Sequence, residues 1–110
     1  MKIYALLLVC KAFAGYNIGR EQCTMEQTFI REIALIGEEN FKKLRRARVA
    51  VFGIGGVGSY AAEALVRAGI GALTFIDGDA VAESNLNRQL IALRSTLGKN
   101  KALVMKERAA

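Results

Sequence analysis

From Met25 onward the apolar positions follow a regular order. Met25 to Ile36 has helical spacing and meets a stop at Gly37. Glu38 to Ala47 predicts a second helix, with Phe41 and Leu44 on its apolar side and Lys42, Lys43, Arg45 and Arg46 elsewhere. Its acids come early and its bases late, which suits the helix dipole. Arg48 to Phe52 is a strand-like run, apolar from Val49 on both faces, as expected of a central strand covered on both sides. Six residues rich in glycine follow, Gly53-Ile54-Gly55-Gly56-Val57-Gly58, and then a helix from Val57 to Ala68 with Ala61, Ala62, Leu65 and Ala68 on one stripe. Gly69 and Gly71 loosen the turn into a second strand, Leu73 to Ile76, which ends at Asp77. Beyond a turn at Gly78-Asp79 lies a polar segment, Ser84 to Gln89, a short helix over Leu90 to Leu93, and a longer helix from Lys99 to Ala109 with Ala102, Leu103 and Lys106 on neighbouring turns. The fold class expected is α/β: the N-terminal part of a Rossmann-like, doubly wound parallel sheet, with a βαβ unit preceded by two helices.

Residues 1–24 do not continue this pattern. Ile3 to Val9 is a short apolar run behind Lys2, and Ala12-Phe13-Ala14 has the look of a signal-peptidase site, but Lys11 interrupts the approach. The reading favoured is an N-terminal extension over 1–24, with synthesis starting at Met25 and one structural unit over 25–110. The codons of Gly19-Arg20-Glu21 would then carry a ribosome-binding sequence.

Composition narrows the chemistry. The chain has 110 residues, 53% of them hydrophobic, with a formal charge of +6. That length suits one domain. Histidine is absent, so neither histidine catalysis nor histidine metal ligation is available within this chain. Cys10 and Cys23 have neither metal-site nor Cys-x-x-Cys spacing. No apolar run reaches the length of a membrane span, so no membrane partner is expected. The positive balance suits either a solvated basic face or an acidic partner such as a nucleotide or RNA.

The glycine-rich loop carries the candidate chemistry. Gly53 permits the tight turn out of the strand, Gly55 lets backbone approach a phosphate, and Gly58 lets the helix lie close to the sheet. Asp77 stands 19 positions after Gly58, where a carboxylate can accept hydrogen bonds from ribose hydroxyls. These four residues satisfy a dinucleotide fingerprint, so a nicotinamide- or flavin-dependent oxidoreductase is one reading. Nearby cations favour another. A dinucleotide's two phosphate charges are largely met by amides and a helix dipole, whereas ATP brings about four and must release pyrophosphate. Arg88 and Lys101 follow the second strand closely enough to reach phosphates, and Arg31 offers a third cation from the N-terminal helix.

The ordered set Gly-Ile-Gly-Gly-Val-Gly, Ile76-Asp77-Gly78-Asp79, Ser84-Asn85-Leu86-Asn87-Arg88-Gln89 and Lys101 resembles the ubiquitin-activating-type (ThiF-type) adenylyltransferases, over about Phe29 to Arg108. This resemblance implies ATP and Mg2+ as cofactors, with Asp77 on the ribose, Gly53, Gly55, Gly56 and Gly58 forming the phosphate loop, Asn85 and Arg88 holding the phosphates, Lys101 contacting them from its helix, Asp79 also at the site, and Arg88 and Arg31 as the catalytic residues. Arg31, in Phe29-Ile30-Arg31-Glu32, is similar to the arginine that reaches the ATP of the other subunit in a homodimer. Gly53 to Gly71, with Asn87-Arg88-Gln89 and Ala92-Leu93-Arg94, is most similar to the tRNA threonylcarbamoyladenosine dehydratases. Those enzymes activate a carboxylate beside the anticodon, and the implied partner is tRNA, in the cytoplasm. A sulfur-carrier protein is the alternative substrate within the superfamily, and a non-catalytic partner subunit is a third reading. By the same resemblance, the family's magnesium-binding aspartate and substrate-binding half are expected beyond Ala110. The 110-residue chain is therefore expected to bind ATP weakly at best, not to complete the reaction, and to contain no metal site of its own.

Overall fold

The computed structural model describes residues 8–10 and 27–110. The expectations about a start at Met25, about Ala12-Phe13-Ala14 and about Cys23 lie outside them. Element order is β1 (Leu8–Cys10), α1 (Ile30–Ile36), α2 (Glu38–Arg46), β2 (Arg48–Phe52), α3 (Gly58–Arg67), β3 (Ala72–Ile76) and α4 (Lys101–Ala109). Single 3-10 turns at Glu83–Asn85 and Arg94–Thr96 interrupt the loop between β3 and α4.

The βαβ unit forms as its glycines and apolar runs dictate. β2 and β3 pair in parallel, from Arg48 opposite Ala72 to Phe52 opposite Ile76. The register brings the carboxyl ends of both strands level. Gly53 N–H extends the ladder by donating to the Ile76 carbonyl at 2.8 Å. α3 crosses between the strands and turns its Ala62 face inward, against a core of Ile54, Leu73, Phe75, Ile91, Ala102 and Met105. Ala61 faces outward, so the inward stripe runs through Ser59, Ala62, Leu65 and Val66 rather than through Ala61.

Close backbone approaches need glycine at two points. A Cβ on Gly58 would stand 1.7 Å from the Gly53 carbonyl oxygen, and one on Gly71 would stand 1.8 Å from the Arg45 carbonyl oxygen. Gly58 thus lets α3 begin against the exit of β2. Gly71 lets the α3–β3 turn nest on the end of α2, where its N–H donates to the Leu44 carbonyl at 3.1 Å.

Three features depart from the sequence-based picture. β2 is not covered on both sides. Its residues alternate between partly buried and exposed, Phe52 is 77% exposed, and β2 forms one edge of a sheet ordered β1-β3-β2. Val49 and Val51 pack on the core, and nothing among the described residues lies across the other face or beyond the free edge. Leu8–Cys10 pairs antiparallel with β3, Val9 opposite Thr74, so part of the N-terminal extension joins the sheet. Leu90 to Leu93 forms turns instead of a helix, and α4 starts at Lys101 because Asn100 caps it there, its Oδ1 accepting from Leu103 N–H at 3.2 Å. Ala102, Val104 and Met105 form the buried side of α4, while Leu103 and Lys106 face out.

α1 and α2 form a hairpin about Gly37, whose φ of 82° closes α1. The Phe29 and Phe41 rings meet at 5.1 Å and 41° and lie over Gly69. Among the described residues no helix is long and apolar enough to cross a membrane.

Candidate functional site

The site assembles where β2 and β3 end. A parallel pair joined by a crossover helix puts the start of α3 at this end, and Asn100 anchors the start of α4 beside it, its Nδ2 donating to the Asp77 carbonyl at 3.4 Å. Two helix N-termini, with their partial positive charge, therefore meet at the tips of the strands.

Asp77 organises the centre. Its Oδ2 accepts from Ile54 N–H at 2.6 Å, and its Oδ1 accepts from Asp79 N–H at 2.8 Å. One carboxylate thus ties the glycine loop to the turn after β3. Each oxygen retains acceptor capacity, since a carboxylate offers about four lone-pair sites.

Gly55 and Gly56 face the Arg88–Gln89 segment. A Cβ on Gly56 would lie 3.8 Å from Arg88 Cγ, and one on Gly55 would lie 3.8 Å from Gln89 Nε2. The bare loop and the exposed Arg88 therefore lie side by side at this end of the sheet. The Arg88 guanidinium donates to the Ser84 carbonyl at 2.7 Å and to Asn87 Oδ1 at 3.0 Å, which holds its stem while leaving further N–H groups.

Lys101, the first residue of α4, is buried, with its side chain 8% exposed. Its ammonium stands 3.8 Å from Asp79 Oδ2, and its backbone N–H donates to the Asp79 carbonyl at 3.0 Å. Asp79 is 81% exposed, so water screens this pair. Asn85 is buried and its Oδ1 accepts from Ala82 N–H at 2.9 Å. Its own carbonyl receives Arg88 N–H and Gln89 N–H at 3.2 and 3.0 Å. Asn85 is thus the turn on which the Arg88 segment is built.

The fold gathers Gly53, Gly55, Gly56, Gly58, Asp77, Asp79, Asn85, Arg88 and Lys101 at one end of the sheet. Arg31 is not among them. It is exposed on α1, whose neighbouring Phe29 rests on Gly69, past the far end of the ten-residue α3. A helix of that length spans about 15 Å.

Two residues outside the expected set, Asn100 and Ser59, hold the site together, and Gln89, expected only as part of a motif, is packed beside them. Asn100 joins α4 to Asp77, as above. Ser59, fully buried, donates to the Gly55 carbonyl at 2.5 Å and accepts from Leu90 N–H at 3.2 Å. Gln89 is buried with its Oε1 unpartnered. Asn before a helical run is a readable cap signal; the long-range bond of Ser59 and the packing of Gln89 on Gly55 leave no mark in the local sequence.

The described residues contain no cluster of three His, Cys, Asp or Glu side chains that could hold a metal. They do not by themselves fit a magnesium site, since no three such side chains gather there, and the Asp79 carboxylate faces the Lys101 ammonium at 3.8 Å.

Comparison with known proteins places this arrangement. The chain is 49% identical over 86 residues to the tRNA threonylcarbamoyladenosine dehydratase of Bacillus subtilis, covering 78% of this chain and 34% of that protein. It is 40% identical over 73 residues to the sulfur carrier protein adenylyltransferase of Thermus thermophilus, covering 66% of this chain and 27% of that one. Among solved structures, the Escherichia coli tRNA N6-threonylcarbamoyladenosine dehydratase in complex with ATP superposes with a TM-score of 0.77 at 47% identity, over 86% of this chain and 37% of that one. The chain spans about a third of the length of these dehydratases. The pattern of the ThiF family matches residues 29–110, the whole stretch from the aromatic pair through α4, and the chain belongs to the ThiF family.

Proposed function

We propose that this chain is the nucleotide-binding front of an enzyme that activates a carboxylate with ATP, and that the carboxylate is that of threonylcarbamoyladenosine in tRNA. One observation carries the choice of ATP over a dinucleotide. Arg88 lies against the glycine loop, and the buried Lys101 opens a second helix at the same end of the sheet, more positive charge than a pyrophosphate bridge requires. The dehydratase relatives support the choice of carboxylate.

In this reading the amides of Gly55 and Gly56 receive phosphate oxygens, and Asp77 takes the ribose hydroxyls with its remaining lone pairs. Arg88 and Lys101 stabilise the charge that develops as pyrophosphate leaves, with Asn85 holding the Arg88 turn in place. A carboxylate oxygen of the substrate attacks the α-phosphorus, and the bond to pyrophosphate breaks. The resulting acyl-adenylate is attacked by a nucleophile within the same nucleoside, AMP departs, and the net change is loss of one water. The enzyme needs no nucleophile of its own. Magnesium bound with the nucleotide would add charge at the phosphates; no step here depends on it. Arg31 acts from a second copy of the chain, which agrees with its position remote from the site in its own copy. The setting is cytoplasmic.

A sulfur-carrier protein's C-terminus is the second reading, supported by the Thermus thermophilus relative. Calorimetric titration of the chain with ATP and with NAD tests the nucleotide assignment. ATP should bind more tightly, and Arg88→Ala should weaken ATP by roughly tenfold or more while sparing adenosine. Tighter binding of NAD would return the chain to the oxidoreductase reading. With the full-length enzyme, ATP–pyrophosphate exchange that depends on modified tRNA rather than on a carrier protein separates the two substrates.

A further inference from the structure

Ser59 sits one residue past the glycines and is 0% exposed, so no ligand touches it. Its bond to the Gly55 carbonyl is of a common kind, because a helical serine often reaches the carbonyl four residues back. The carbonyl already accepts Ser59 N–H at 3.0 Å. The second bond is different. Leu90 N–H, which the hydroxyl accepts at 3.2 Å, lies 31 positions away, two residues after Arg88. Between them Gln89 lays its amide against Gly55, and its buried Oε1 has no partner. Arg88 does the same against Gly56 with its aliphatic stem. Three consecutive residues thus abut the loop, and the Ser59 hydroxyl fastens the last of them to it.

We propose that Ser59 is a positioning residue: through the Gly55 carbonyl and the Leu90 amide, its hydroxyl sets the separation of the glycine loop and Arg88, and so the grip on the nucleotide's phosphates. This rests on the ATP reading above. Ser59→Ala keeps the helix bond to Gly55 but leaves the N–H of the half-buried Leu90 without its acceptor. The Arg88 segment is then free to move away from Gly56. Asp77, held by Ile54 and Asp79, keeps its place, so the nucleoside end of the ligand is unaffected.

The test is calorimetric titration of the wild-type chain, Ser59→Ala and Ser59→Thr with ATP and with adenosine. Ser59→Ala should lose roughly tenfold in ATP affinity and less than about twofold for adenosine. Ser59→Thr retains a hydroxyl that can reach the same carbonyl and should recover most of the loss. Equal losses for both ligands would mean a general loosening of the fold and would overturn the proposal, as would unchanged ATP affinity. A wild-type chain that prefers ATP while Ser59→Ala prefers it equally refutes the role of Ser59 alone. A wild-type chain that does not distinguish ATP from adenosine refutes the ATP reading itself. Should Ser59→Ala not fold, hydrogen exchange at the Leu90 amide of the wild-type chain decides. ATP should slow it and adenosine should not; the same rate with both ligands overturns the idea.

Discussion

Arg108 closes on Glu63 at two points, Nε to Oε2 at 2.8 Å and a terminal guanidinium nitrogen to Oε1 at 3.2 Å, and so clasps the last turn of α4 to the middle of α3. Arg67 adds a third donor to the same Oε1 at 2.8 Å. The Glu63 side chain is only 17% exposed, so the pair is sheltered from full screening. The clasp aligns the two helices whose N-termini face the candidate site.

The Arg108 hydrogen bond holds the Glu63 carboxyl below its ordinary value of 4.5, ahead of the opposing effect of burial, with Arg67 assisting. A carboxyl depressed in the folded state stabilises the fold above its unfolded value, and that stabilisation is lost as pH falls through the folded value. Urea unfolding should therefore show stability dropping as the pH goes below about 4.5. In Glu63→Gln this acid-limb contribution should be missing, and at neutral pH Arg108→Ala should be about 1 kcal/mol less stable than the wild type. An identical acid limb in Glu63→Gln and the wild type would refute the clasp.

Gly58→Ala should be among the most damaging single substitutions in α3. The added methyl meets the backbone oxygen of Gly53, which cannot swing aside as a side chain would. Overpacking of this kind is worth about 3 kcal/mol. Gly71→Ala, which strikes the Arg45 carbonyl at the opposite end, should lower stability comparably. Denaturant midpoints measure both, and a midpoint unchanged in either variant would contradict the close approach.

Asp77→Ala should weaken the fold even when no nucleotide is present. Ile54 N–H and Asp79 N–H both lose a charged acceptor, a loss of about 2 kcal/mol. If Asp77 served a ligand alone, thermal unfolding of the ligand-free variant would match the wild type.

Lys101→Met keeps most of the buried stem and removes the charge. ATP affinity should fall roughly tenfold with little change in ligand-free stability, since the exposed Asp79 is readily solvated. Titration with ATP and a thermal melt together check this. A large loss of stability with unaltered affinity would make Lys101 a structural residue.

How much of this was legible beforehand follows a physical line. β2, the glycine loop, α3 and β3 could be read because their signals are local: apolar runs of strand length, glycines at turns, helical spacing. The partners across the site could not. Nothing in Asp77 itself says that both oxygens will hold backbone amides, and nothing in Ser59 says that it will meet Leu90. The apolar run of β2 could not distinguish an edge from a centre, because Val49 and Val51 supply enough buried surface for one face and the rest stands open. The pairing of Leu8–Cys10 with β3 is equally long-range. Arg31 was expected both as a third cation from the N-terminal helix and, by resemblance, as a residue reaching a second subunit; the fold sets α1 beside Gly69, past the far end of α3, so the first expectation fails within one chain.

The hairpin that carries Arg31 contributes no residue to the fully buried interior. Its main attachments are the Phe29–Phe41 pair over Gly69, Leu44 against the core edge and the Arg45 guanidinium on the Gly69 carbonyl at 3.1 Å. Segments with so little buried surface open at a small fraction of the free energy needed to unfold a sheet. α1 therefore behaves as an outrigger. Displacing it should cost less than disturbing β2, β3 or the glycine loop, so the position of an arginine on it is not fixed by the same cooperative event that folds the site.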